Sequence, residues 1–116
     1  MSSGYETPDF NIKLWRRNPF KQEFTYTSNG TANDLTGYSI KSEIWNAEST
    51  IQYGTFTAEI LSPPTAGKMR ISLTGTQVLG LPDKAEYDVV LTSSSEEINF
   101  IRGELSVGNR HTRWQY

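Results

Sequence analysis

Apolar and polar residues alternate along most of the chain. In the segment Phe20–Thr27, for example, Phe20, Phe24 and Tyr26 fall on one side and charged or hydroxyl side chains on the other. A period of two indicates a β-strand with one buried face. The same pattern predicts about seven strands: Phe10–Trp15, Phe20–Thr27, Tyr38–Trp45, Thr55–Leu61, Lys68–Leu73, Tyr87–Thr92 and Glu97–Val107.

Turn signals separate these segments at intervals of roughly 8–15 residues, a spacing that suits an antiparallel β-sandwich. A helical pattern of about ten residues, which a parallel βαβ sheet would need, does not occur between them. The sequence therefore predicts an all-β fold, a single antiparallel β-sandwich of about seven strands.

Three local irregularities interrupt the strand pattern. Ser28–Asp34 is rich in Asn, Gly and Thr and is predicted to be a loop. Thr76 is predicted to cap one short helical turn, near 76–80, that packs under one end of the sandwich. The apolar positions change phase between Phe100 and Ile101, which predicts a β-bulge in the last strand.

The length of 116 residues favours one domain. Residues 1–9 are predicted to form an N-terminal arm, residues 10–108 the β-sandwich domain, and residues 109–116 a C-terminal arm. Both arms are short, polar or basic segments beyond the periodic part of the chain.

Composition agrees with a sheet protein, since 25 residues are Ser or Thr and 12% are aromatic. With no Cys and one His, the sequence excludes a disulfide scaffold, a thiolate metal site and a multi-histidine metal site. The net charge of −2 makes a nucleic-acid partner an unfavourable interpretation. A membrane partner is not expected either, because the sequence contains no apolar run of about 18 residues.

Residues suited to catalysis are sparse. His111 is the only histidine and stands near the end of the sequence, and Glu96–Glu97 would point to opposite faces of a strand. Asp83, Glu86 and Asp88 could offer oxygen ligands to Ca²⁺, but they lack the EF-hand spacing. The chain is therefore not expected to be an enzyme, and we predict no catalytic residue, cofactor or metal site.

Two clusters that mix basic and aromatic residues are more typical of contact surfaces, because Arg, Trp and Tyr dominate interface hot spots. One lies before and after Pro19 and the other in the C-terminal arm, and Trp45 departs from the alternation of its own strand. An alternative is that Trp15 and Trp114 complete the edge of the domain's own core. The predicted partner-binding residues are Trp15, Arg16, Arg17, Trp45, Arg110, Arg113, Trp114 and Tyr116.

An ordered series of short motifs spans about residues 10–107. It comprises Asp34-Leu35-Thr36-Gly37-Tyr38, the turn Pro64–Gly67, Leu81-Pro82, the strand Tyr87–Leu91, and Arg102-Gly103-Glu104-Leu105-Ser106-Val107. This series resembles the N-terminal domain of baseplate upper proteins of tailed bacteriophages and related immunoglobulin-like modules of phage tails. The resemblance implies an immunoglobulin-like sandwich that anchors fibres or neighbouring tail proteins and carries no catalytic residues.

The resemblance also implies that the chain works in the virion, as a small structural adaptor of the tail or baseplate. Baseplate upper proteins usually continue into a helical linker and a fibre region, whereas this sequence stops about nine residues after its last predicted strand. The expected partners are other virion proteins, in a multimeric assembly. Two alternatives remain open: a capsid decoration protein, and a carbohydrate- or receptor-binding module that uses Trp15, Trp45 or Tyr53.

Overall fold

The computed structural model describes residues 7–109, which fold into two facing β-sheets, a small two-stranded sheet and one short helix. The strands are β1 (Ile12–Trp15), β2 (Phe20–Thr25), β3 (Thr27–Ser28), β4 (Thr31–Ala32), β5 (Ser39–Trp45), β6 (Gln52–Thr55), β7 (Thr57–Ile60), β8 (Lys68–Leu73), β9 (Lys84–Thr92) and β10 (Glu97–Gly108). The helix α1 covers Gly75–Leu79, and a 3-10 turn covers Pro64–Ala66.

The larger sheet has the strand order β1-β10-β9-β5-β6, and the smaller sheet has the order β2-β8-β7. This is an immunoglobulin-like arrangement, in which β2, β8 and β7 take the places of strands B, E and D, and β5, β9 and β10 those of C, F and G. The predicted fold class is confirmed. One detail differs from an all-antiparallel sandwich, because β1 runs parallel to β10, with Ile12 opposite Leu105.

The core lies between the two sheets and is filled by the inward-facing residues of both. Ile44 and Val89 from the larger sheet and Met69 and Ile71 from the smaller one are fully buried. Immunoglobulin domains of antibodies join their sheets with a disulfide. This chain has no cysteine, so apolar packing between the sheets takes its place.

The strand count is higher than predicted because short or uncharged strands carry little alternation. Ser28–Asp34 contains the tight turn of a hairpin between β3 and β4, with Asn29 and Gly30 at positive φ. The predicted strand Thr55–Leu61 is divided at Phe56, where the chain passes from β6 in the larger sheet to β7 in the smaller one. The described residues therefore form ten strands rather than seven.

The helical turn is present, but its cap is Thr74 and not Thr76. Thr74 Oγ1 accepts a hydrogen bond from the amide of Gln77 at 3.1 Å, and Gln77 Oε1 accepts one from the amide of Thr74 at 2.8 Å. A reciprocal pair of this kind is a capping box, which requires Thr and Gln three residues apart. Only Thr74 has Gln at that spacing, so the helix begins two residues earlier than predicted.

The predicted bulge in the last strand is confirmed. The register of β10 against β9 shifts between Asn99 and Ile101, so that Phe100 and Ile101 are both buried. None of the helices in residues 7–109 is long and apolar enough to cross a membrane.

Candidate partner-binding surface

The outward side of the larger sheet brings together a tryptophan and several charged residues. Trp45 on β5 lies opposite Glu86 on β9, which in turn lies opposite Glu104 on β10. In the next row, Glu43, Asp88 and Arg102 occupy the same three strands. We call this surface the Trp45 face: Glu43, Trp45, Glu86, Asp88, Arg102 and Glu104.

The Trp45 face is predominantly acidic. Four of its six residues are carboxylates, and its one cation, Arg102, has its Nε 3.4 Å from Oδ1 of Asp9. Arg102 therefore forms an ion pair with Asp9, which lies outside the face, and neutralises less of the negative charge of the face itself. The surplus of negative charge favours association with a basic partner and steers its approach.

Trp45 itself is half-buried at the end of β5, and its Nε1 donates a hydrogen bond to Oε1 of Glu43 at 3.0 Å. The register of β5 places residue 45 on the outward side, and this bond holds the indole against Glu43 there. A shallow depression of about 200 Å³ lies beside it, lined in part by Glu86 and Arg102. A rigid indole next to a depression suits a protein contact.

Asp88 is the least favourably placed carboxylate of the Trp45 face. Its partial burial raises its pKa above the ordinary value, and the carboxylate of Glu43 on the adjacent strand raises it further. The ionised form of Asp88 is therefore less stable in the folded chain than in the unfolded one, and this lowers the stability of the fold near neutral pH.

Asp88→Asn is expected to raise the free energy of unfolding by about 0.2–1 kcal/mol near pH 7, the range of one cross-strand charge pair. Because the folded pKa lies above the unfolded value of 3.8, native Asp88 binds more protons between the two values, and stability falls as the pH rises through that window. Urea unfolding of both proteins at about pH 7 and about pH 3 measures the difference.

The gain from Asp88→Asn should disappear at the lower pH, because Asp88 of the unmodified chain is then protonated and carries no more charge than the asparagine of the variant. Glu48→Gln, in the exposed turn between β5 and β6, is the control and should change stability little at either pH. A gain that stays the same at both pH values would show that packing, not charge, is responsible.

Trp15 lies on the same outward side as the Trp45 face, but at the other end of the sheet. It is 42% exposed, Lys13 Nζ lies 5.1 Å from the centre of its ring, and the indole covers Gly108. Trp15 and Trp45 are three strand positions apart across the sheet, about 14 Å, and four residues apart along β10, about 13 Å, so about 20 Å separates the two positions. One flat partner could therefore contact both tryptophans.

The side chain of Arg16 binds other residues of the same chain. Its guanidinium bonds to the carbonyl oxygen of Leu81 at 2.5 Å and to Oδ1 of Asp83 at 2.8 Å, and so holds the end of β1 to the start of β9. Arg17, at φ 73°, is exposed, and its carbonyl oxygen packs against Gly75. A partner-binding role for either arginine stays a prediction.

The other predicted contact residues, Arg110, Arg113, Trp114 and Tyr116, lie outside the described residues, as does His111. The three acids considered for Ca²⁺ do not converge, because Asp83 pairs with Arg16 while Glu86 and Asp88 lie along β9. Within residues 7–109, no group of three or more His, Cys, Asp or Glu could hold a metal ion.

Sequence reasoning missed the carboxylates that surround Trp45. Alternation places Glu43 and Glu86 on outward positions of their strands, but it does not say which strands are neighbours. The pairing of β5 with β9 and of β9 with β10 brings these acids together, and it depends on contacts between distant parts of the chain.

No protein-family model matches the chain, and no curated protein is similar to it at a significant level. Among solved structures, it is similar to the one titled "Crystal Structure of the ZIG-8-RIG-5 IG1-IG1 heterodimer, monoclinic form". The superposition has a TM-score of 0.43 and 8% sequence identity, and it covers 92% of this chain and 86% of that chain. A likeness this distant says nothing about partners, so the immunoglobulin-like assignment rests on the strand order given above.

Proposed function

We propose that this chain is a protein-binding module that serves as a small structural adaptor of a tailed-phage virion, with the Trp45 face as its contact surface. The observation that carries the binding role is the placement of Trp45 among four carboxylates on one outward side of the larger sheet. The partner would present basic residues to this face.

The virion part of the proposal is supported by the resemblance to phage tail modules. The motifs of that resemblance have structural positions here: Asp34–Tyr38 leads into β5, Pro64–Gly67 leads into β8, and Arg102–Val107 lies in β10. Asp88, Arg102 and Glu104 of the Trp45 face lie within the motifs of the resemblance. Glu43, Trp45 and Glu86 lie outside them, and they are where this chain would differ in its choice of partner.

The proposal is tested by supplying the chain to a phage that lacks its gene and counting its copies per purified particle by quantitative mass spectrometry. Trp45→Ala and Glu86→Lys are each expected to lower incorporation about tenfold or more, the effect of losing one interface hot spot. Lys68→Glu, an exposed charge change on the smaller sheet, is the control and should be incorporated normally.

Melting temperatures show whether each variant is folded before incorporation is compared. Absence of the unmodified chain from purified particles would contradict the virion role. Normal incorporation of both Trp45→Ala and Glu86→Lys would instead contradict the Trp45 face as the contact surface.

A further inference from the structure

One edge of the smaller sheet is open. Strand β2 pairs with β8 along its whole length, from Phe20 opposite Leu73 to Thr25 opposite Lys68, without a break in register. On its other side, β2 has no neighbouring strand within residues 7–109, because β1 joins the larger sheet. An open and regular edge of six residues is a template for pairing with another strand.

The backbone groups that face this open edge can be identified. The amide of Tyr26 donates to the carbonyl oxygen of Gly67 at 2.8 Å and continues the register of β2 with β8. Hydrogen-bonded and non-bonded pairs alternate in an antiparallel ladder, so the amide and carbonyl groups of Lys21, Glu23 and Thr25 point away from β8. In agreement, the carbonyl oxygen of Glu23 accepts its bond from a side chain, Gln22 Nε2, at 2.9 Å.

The side chains of β2 are complementary in charge to those of a second, antiparallel copy of β2. If two copies of β2 run antiparallel about Gln22, Lys21 of each copy lies opposite Glu23 of the other, which gives two opposite-charge pairs. The same register places Phe20 opposite Phe24 on the inward side. Lys21 of each copy and Glu23 of the other form a hydrogen-bonded pair of the antiparallel ladder. Each of these two pairs exchanges two backbone hydrogen bonds, so four form between the copies.

We propose that two copies of this chain pair through the β2 edge, antiparallel and centred on Gln22, to form a dimer with a continuous six-stranded sheet. This pairing also covers apolar surface beside the edge. Phe20 and Phe24 are only half-buried, and the ring of Phe10, 5.3 Å from that of Phe24, is 37% exposed. The proposal is independent of the Trp45 face, which lies on the other sheet.

The other sheet edges fit self-pairing less well. Strands β1 and β7 each carry one charged residue, Lys13 and Glu59 respectively, and so offer no opposite charge to a second copy of themselves. Strand β6 is uncharged, but it has four residues, and its register with β5 is interrupted at Tyr53. Bulged and short edges resist pairing.

The experiment is sedimentation of the full chain over a range of concentrations, up to about 1 mM. Lys21→Glu and Glu23→Lys should each weaken the dimer about tenfold or more, since each turns two attractive pairs into two repulsive ones. A 1:1 mixture of these variants should associate again, because one then carries two acidic edge residues and the other two basic ones.

A double variant that carries both Lys21→Glu and Glu23→Lys should also dimerise, since opposite charges again face each other between the copies. Lys41→Glu, an exposed charge reversal on β5, is the control and should dimerise like the unmodified chain. A chain that stays monomeric at every concentration would overturn the proposal. So would a dimer that neither single variant weakens, or single variants that fail to associate when mixed.

Discussion

Gly103→Ala is expected to lower the free energy of unfolding by about 2–4 kcal/mol, the combined range of overpacking and a lost buried hydrogen bond. A Cβ at Gly103 would lie 2.2 Å from the carbonyl oxygen of Phe10 and 2.7 Å from its carbonyl carbon. These are backbone atoms, so no side-chain rotation relieves the clash. Urea unfolding of the variant and the unmodified chain measures the loss.

The clash matters because Phe10 is held at several points. Its amide donates to the carbonyl oxygen of Arg102 at 2.7 Å, and its carbonyl oxygen accepts a bond from the phenol of Tyr87 at 2.5 Å. Burial raises the pKa of Tyr87, so the phenol stays protonated and needs an acceptor. Displacing Phe10 removes that acceptor, and it also separates the ring of Phe10 from Phe24.

Gly80→Ala is the matched control for the loss of a glycine. Gly80 has φ −83°, and the nearest atom to a Cβ there is the carbonyl oxygen of Gln77 at 3.8 Å. Alanine fits this conformation and restricts the unfolded chain, so a gain of about 0.4–1 kcal/mol is expected. If Gly103→Ala lowers the free energy of unfolding by no more than the size of the change that Gly80→Ala causes, Phe10 does not lie against Gly103.

The alternation of apolar residues could predict most of the sandwich because each strand buries one side only. This pattern placed Ile71 and Val89 in the core and the bulge near Phe100, as the structure has them. The pattern does not predict a strand that has no buried side, because apolar and polar residues do not alternate there. Strands β3, β4 and β6 are short and mostly exposed, so alternation does not mark them as separate strands.

Two further differences have their own physical causes. The helix begins at Thr74 because a capping box needs both partners, and Thr76 has no Gln or Glu three residues later. The surroundings of Trp45 could not be predicted from alternation, which assigns a face to each residue but not a neighbour to each strand. The acidic character of the Trp45 face depends on that pairing.

Leu35→Ala is expected to lower the free energy of unfolding by about 2–5 kcal/mol, the range for removing a buried leucine side chain. Leu35 lies in the motif Asp34-Leu35-Thr36-Gly37-Tyr38, is 1% exposed and belongs to the core. Its amide donates to the carbonyl oxygen of Pro64 at 2.9 Å, so the loop before β5 cannot easily move to fill the cavity. Thermal and urea unfolding measure the change.

Leu79→Ala is the control for this change, since Leu79 lies on α1 and is 44% exposed, and a change of less than about 0.5 kcal/mol is expected there. The rest of the motif holds Leu35 in place. Oδ1 of Asp34 accepts bonds from the hydroxyl and the amide of Thr36 at 2.6 and 2.9 Å, and these bonds lower the pKa of Asp34. Gly37 follows at φ +85°, a conformation that favours glycine. If Leu35→Ala destabilises the chain no more than Leu79→Ala does, this motif does not serve the fold.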